Sequence, residues 1–131
     1  MDIKEFANKF IEAEDEAWQN GNFDALEALE DPNVVYHMKL IGQELVGWEA
    51  HKQNILSSIE AVTDLHQEWG YVVGDGSVFA LTYKSSGKTK NAMPAMSVPA
   101  GASLATDAIF IFKVENDKVI EAWVHGNMAI S

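Results

Sequence analysis

The 131-residue chain contains no cysteine and no arginine. Without cysteine there is no disulfide framework, thiolate nucleophile or thiolate metal ligand. Without arginine there is no planar fork to grip a phosphate or carboxylate through two parallel hydrogen bonds. All nine basic residues are lysines, and against 20 acidic residues they leave a formal net charge of -11. Such a field repels nucleic-acid phosphates and no basic stripe offsets it, so no nucleic-acid partner is expected. Apolar runs of the roughly 18 residues that span a bilayer are missing too. Met1-Asp2-Ile3-Lys4-Glu5 lacks the basic and apolar regions of a signal peptide. The expectation is a cytoplasmic protein with no membrane partner. Neither a nucleophile elbow, a P-loop nor a dinucleotide fingerprint occurs, and the four histidines fall at no H-x-x-x-H or H-E-x-x-H spacing. Serine-hydrolase, nucleotide and metal chemistry therefore lack a signature.

What is present is a hydrophobic content of 47%, enough for one domain over residues 1–131 to bury a core. Asp2 with Glu5 forms a capping box, and Ile3, Phe6, Phe10, Ile11, Ala17 and Trp18 recur at helical spacing up to Asn20-Gly21. Phe23, Leu26 and Leu29 predict a short second helix that Asp31-Pro32 ends. A strand over 34–38 comes next, then a hairpin or loop between Gly42 and Gly47. A third helix begins near Gly47 and carries Trp48, His51, Ile55 and Ile59 on one stripe. From Leu65 the period changes to two, with Gln67, Trp69, Tyr71 and Val73 on the same side. The turn Gly74-Asp75-Gly76-Ser77 leads into a return strand over 78–85 that puts Phe79, Leu81 and Tyr83 on one face. Residues 86–104, with Met93, Pro94, Met96 and Pro99, read as a long loop, either a lid over a pocket or a wide hairpin connection packed on a neighbour.

The last hairpin pairs 106–114 with 118–128 around Asn116-Asp117. A regular register opposes Val114 to Val119, Phe110 to Trp123 and Ala108 to His125. One face then carries Phe110, Phe112, Trp123, His125 and Asn127. The other carries Ile109, Ile111, Ile120 and Val124, apolar enough to suggest a homodimer through the outer sheet face.

The order helix, helix, strand, helix and then long strands, with "NVVYH" at 33–37 and "DKVIEAWVHGN" at 117–127, resembles the nuclear transport factor 2-like superfamily and, within it, the SnoaL-like polyketide cyclase group. The resemblance implies an α+β fold in which a curved antiparallel sheet wraps over about three N-terminal helices as a cone, with a pocket at its open end. It further implies isomerisation or aldol-type cyclisation of an apolar carbonyl compound, without metal or organic cofactor, through an acidic acid/base residue. Lys118 and Trp123 match the group's pattern, but Asn127 stands where it has an aspartate, and an amide cannot take up a proton as a carboxylate can.

His125, beside Asn127, is the replacement acid/base candidate, since imidazole titrates at roughly pH 6.5. It reads equally as a core histidine bonded to a carbonyl. Asn127 would hold a substrate oxygen or cap the strand. Trp123, Phe110, Trp48, His51, His37 and Tyr36 are the expected walls for a small apolar or aromatic ligand, though aromatic stripes and lone histidines usually serve packing. A noncatalytic ligand-binding or dimeric scaffold protein of the same fold is the competing reading.

Overall fold

The computed structural model describes residues 2–94 and 97–131. Helix α1 spans Ile3–Asn20; its first turn is capped by Asp2, whose carboxylate accepts the Glu5 N–H at 2.8 Å. Gly21 ends it at φ 67°, a left-handed turn that glycine adopts without strain. Helix α2 is Asp24–Leu29, and strand β1, Glu30–Met38, follows with no intervening loop. Pro32 thus lies inside a strand. It is tolerated because the neighbouring strand pairs only with Val35 to Met38, so the proline owes no ladder hydrogen bond on that side.

A 3-10 turn leads to β2, Gln43–Val46, and helix α3, Trp48–Ala61. Four long strands complete the chain: β3 Val62–Asp75, β4 Val78–Thr89, β5 Ser103–Glu115 and β6 Lys118–Ile130. They form one curved six-stranded sheet in the order β2-β1-β6-β5-β4-β3. Every pairing is antiparallel except β1 with β6, which is parallel, so the sheet is mixed and not purely antiparallel as expected. No helix among the described residues is long and apolar enough to cross a membrane.

The concave face receives α1. Phe6 and Phe10 meet Phe79 and Phe112 near the turn ends of the two hairpins, with ring centroids 4.8 Å apart for Phe10–Phe112 and Phe79–Phe112. These phenylalanines fill that end of the curve. Towards the opposite ends of the strands the helices leave the sheet uncovered, and a cavity opens.

Two expectations are corrected. The connection expected over 86–104 shrinks to 90–102, because β4 and β5 stay paired out to Lys88 and Ser103. Thr89 ties it down: its hydroxyl donates to the Pro99 carbonyl at 2.7 Å and accepts the Ala102 N–H at 2.9 Å. Met93 bridges Val98 across this connection, while Met96 lies outside the described residues.

The second correction is to the final register. Asn116 and Asp117 do form the turn, both at positive φ, and Val114 does oppose Val119. A bulge then inserts Ile120, so Lys113 faces Glu121 and everything beyond slips by one. Phe110 opposes Val124, and Ala108 opposes Gly126. A one-residue slip exchanges the faces of a strand. Ala122 and Val124 therefore point inward and are buried, whereas Trp123, His125 and Asn127 turn to the outer face. Packing supplies the reason. The inner face already holds Phe110 and Phe112 from β5, so β6 must answer with small side chains.

Candidate functional site

The cavity, about 540 Å³, is bounded by α1, α3 and the inner face of the sheet. Its walls are mostly apolar and aromatic, with Trp18, Leu45, Trp69, Tyr83, Phe110 and Met128 among them. Ala92, Met93 and Pro94 of the 90–102 connection stand at its rim.

Three buried polar side chains gather against this apolar space: Glu14 from α1 at 3% exposure, Glu30 from the start of β1 at 1%, and His51 from α3 at 6%. Glu14 and His51 line the cavity itself. Glu30 sits behind His51 and accepts from it, Nδ1 to Oε1 at 2.9 Å; its other oxygen, Oε2, accepts the Tyr36 hydroxyl at 2.9 Å. Tyr36 also stacks on the imidazole at 4.0 Å, and Trp48 meets the ring edge-on at 5.9 Å. The ring is thus held on one nitrogen and one face, and Nε2 is the nitrogen left to exchange a proton. Glu14 is fixed through Oε2, which accepts the Trp18 indole N–H at 3.0 Å.

Each titrating group responds to this burial. Desolvation raises the Glu14 carboxyl from 4.5 to about 7, against a lowering by His51 and with a further rise from Glu30. Burial pushes His51 down, but the Glu30 charge and hydrogen bond, with Glu14, outweigh it and leave the imidazole raised. Burial and the Glu30 charge hold the Tyr36 phenol well above its ordinary value, and burial lifts Tyr83 to about 12. A carboxyl pushed up to about 7 and an imidazole held above its ordinary value, in one dry site, are the parts of an acid/base pair.

Glu14, Glu30 and His51 offer ligand atoms within 4.8 Å of one another, drawn from three elements and hence invisible to sequence spacing. As placed they do not suit a cation. Both Glu30 oxygens, one Glu14 oxygen and His51 Nδ1 are already hydrogen-bonded, and a metal would have to break those bonds.

Of the residues expected at the site, Tyr36, His51 and Phe110 border the cavity. Trp48 is buried beside it, its indole donating to Glu27 at 2.9 Å. His125, Asn127 and Trp123 are carried away by the bulge, and His125 and Asn127 are exposed. His37 points outward as well. It is clamped between Glu44 and Glu121 at 2.7 Å each, bonds that raise its pKa, and it stacks on Trp123. Glu14 and Glu30 were missed. A signal for Glu14 was available, since it lies four residues after Phe10 and four before Trp18, on the apolar stripe of α1.

Solved structures share this architecture. A SnoaL-like polyketide cyclase from Agrobacterium tumefaciens superposes with a TM-score of 0.73 at 18% identity, covering 92% of this chain and 90% of its own. TsrD from Streptomyces laurentii reaches 0.79 at 20% identity, covering 96% and 90%. An NTF2-like protein from Exiguobacterium sp. 255-15 gives 0.70 at 19% identity, covering 92% and 97%. Among curated proteins none matches the chain. The sequence profile of the SnoaL-like polyketide cyclases matches residues 8–130, nearly the whole length, and the protein therefore belongs to that family, on the NTF2-like fold.

Proposed function

We propose that the protein is a cofactor-free acid/base catalyst that isomerises a small, largely apolar carbonyl compound or closes it into a ring by an aldol-type step. The observation that carries this reading is that Glu14, titrating near neutrality, and His51 border the same apolar cavity. In this reading Glu14, held through Oε2, takes the hydrogen α to the carbonyl as a proton on its other oxygen. The C–H electron pair becomes the C=C bond of an enol, while the carbonyl oxygen receives a proton from His51 Nε2. Returning a proton at a different carbon completes an isomerisation; attack of the enol carbon on a second carbonyl closes a ring. Glu30 and Tyr36 keep the imidazole oriented, and Glu30, with Glu14, favours its charged form against the pull of burial. Working protonation states are ionised Glu14 and protonated His51. Activity should therefore climb as pH rises through about 7 and fall once His51 loses its proton.

Exchange of the α-hydrogens of a bicyclic ketone, 1-tetralone, for deuterium in D2O, followed by NMR, tests the reading without knowledge of the natural substrate. Glu14→Gln and His51→Gln should each slow exchange by about 100-fold or more, with circular dichroism unchanged. His125→Ala should exchange at the wild-type rate. A wild-type protein no faster than Glu14→Gln removes the catalytic reading and leaves a noncatalytic ligand-binding or scaffold protein. Two further parts of the proposal concern the surroundings. Met93 and Pro94 of the 90–102 connection serve as the pocket rim against which the ligand rests. The outer sheet face, where Ile109 and Ile111 are 48% and 40% exposed, is a homodimer interface.

A further inference from the structure

His37 lies on the side of the sheet away from the cavity and ties three strands together. Its Nδ1 meets Glu44 Oε1 of β2 and its Nε2 meets Glu121 Oε2 of β6, each at 2.7 Å, while the ring stacks on Trp123 of β6. An ionised carboxylate only accepts, so both ring nitrogens must carry a proton for both bonds to exist. The staple is thus an imidazolium between two carboxylates. These two are the charges that face the ring. Lys113 of β5 stands across from Glu121, on the side of β6 away from His37, His125 follows Trp123 by two residues on β6, and Lys39 of the 3-10 turn is exposed. Hydrogen bonds to Glu121 and Glu44 raise the imidazole above its ordinary value against a smaller opposing effect of desolvation.

What the staple fastens is the shortest strand of the sheet. Strand β2 has four residues, lies at an edge and pairs with β1 alone. Gly42 at φ 67° and Gly47 at φ 94° bound it, so the backbone is free to bend at both ends. Side chains alternate along a strand. Glu44 takes the outer face, whereas Gln43 and Leu45 line the cavity, joined by Leu40 and Ile41 of the preceding turn. Whatever loosens Glu44 therefore loosens that part of the cavity wall.

We propose that Glu44, His37 and Glu121 form a proton-operated latch on the cavity wall. With two ring protons the latch holds β2 against the sheet. With one, a ring lone pair faces a carboxylate, and Glu44, 56% exposed against 35% for Glu121, is the partner that lets go. The β2 wall then opens and admits an apolar ligand. Because the folded protein holds this proton more tightly than a free histidine does, the latch is closed below the ordinary histidine value and opens as pH rises through the raised one. The inference uses the cavity alone and not the acid/base chemistry assigned to it.

Two measurements between about pH 5.5 and about pH 9 test the latch. Hydrogen exchange at Gln43 to Val46, corrected for the intrinsic rise of exchange with pH, should speed up by about tenfold as His37 titrates, followed through its Cε1–H NMR signal. Uptake of Nile red, a neutral apolar dye, should accelerate over the same interval. In His37→Gln, whose amide offers N–H on one side only, exchange and uptake should be fast at every pH. In Glu44→Gln the amide both donates and accepts, so it bonds either form of the ring, and exchange and uptake should be slow at every pH. Wild-type exchange that ignores the His37 titration overturns the latch, as does a pH dependence that survives in both variants. Dye uptake that is absent, or that does not follow β2 exchange, overturns it too. Exchange of 1-tetralone α-hydrogens governed by Glu14 would survive each of these results, so the two readings fail separately.

Discussion

Glu14 is a carboxyl placed where a helix would ordinarily bury an apolar side chain, and that placement has a measurable cost. Its folded-state pKa of about 7 stands above the 4.5 of an exposed glutamate, so the folded chain holds a proton that the unfolded chain releases. Between those two values the folded state binds more protons, and stability must fall as pH rises. The loss is complete above about pH 7 and amounts to about 3 kcal/mol. His51, also raised, acts in the same direction: its contribution is present below the ordinary histidine value and fades as pH climbs through the folded one. Glu14→Gln removes the carboxyl titration. Urea denaturation from pH 5 to pH 8 should show the variant gaining on wild type as pH rises, and parallel profiles would contradict a buried, proton-holding Glu14. At this scale the site was half legible. His51 and Tyr36 could be named because a histidine and a tyrosine amid apolar residues stand out. Glu14 and Glu30 were hidden among 20 acidic residues, and only the position of Glu14 on the stripe of Phe10 and Trp18 set it apart.

Among the elements, the β5–β6 hairpin decides which side chains face the cavity. Its turn was readable, because Asn-Asp tolerates the positive φ that a two-residue connection requires. The bulge at Ile120 was not, since nothing in the alternation of Val119, Ile120, Ala122 and Trp123 excludes a regular strand. What decides is volume: Phe110 and Phe112 leave room opposite them for Val124 and Ala122 but not for Trp123. Gly126 reports the same register. A Cβ at this position would run into the Asp107 carbonyl oxygen and the Ala108 Cα, so the two strands approach there as only glycine permits. Gly126→Ala should destabilise the protein by about 1–3 kcal/mol, read as a lowered urea midpoint. An unaffected midpoint would mean that Gly126 does not face β5 in this way. The helices, by contrast, were legible almost to the residue, because Asp2 and Gly21 mark the ends of α1 chemically as well as by period.

On the scale of the whole molecule, the sheet has two unlike faces, the concave one holding the cavity and the convex one left uncovered. Ile109 and Ile111 emerge on the convex face beside Trp123, and the bulge has replaced the expected Val124 by that larger aromatic side chain. Exposed isoleucines flanked by an aromatic ring favour association with a second copy, while a chain carrying a net charge of -11 repels its own kind. The two terms answer salt differently. Screening shortens the reach of repulsion to about 8 Å at physiological ionic strength and leaves apolar burial intact, so added sodium chloride should strengthen the dimer. An interface held by ion pairs would weaken instead. Analytical ultracentrifugation at micromolar concentration should find a dimer whose Kd falls between 50 mM and about 300 mM salt, given the screening lengths involved. The double variant Ile109→Glu, Ile111→Glu should sediment as a monomer and still exchange the α-hydrogens of 1-tetralone, because its substitutions lie on the face away from Glu14 and His51. A wild-type monomer under all of these conditions would remove the interface. A double variant that stays dimeric would move it to another surface.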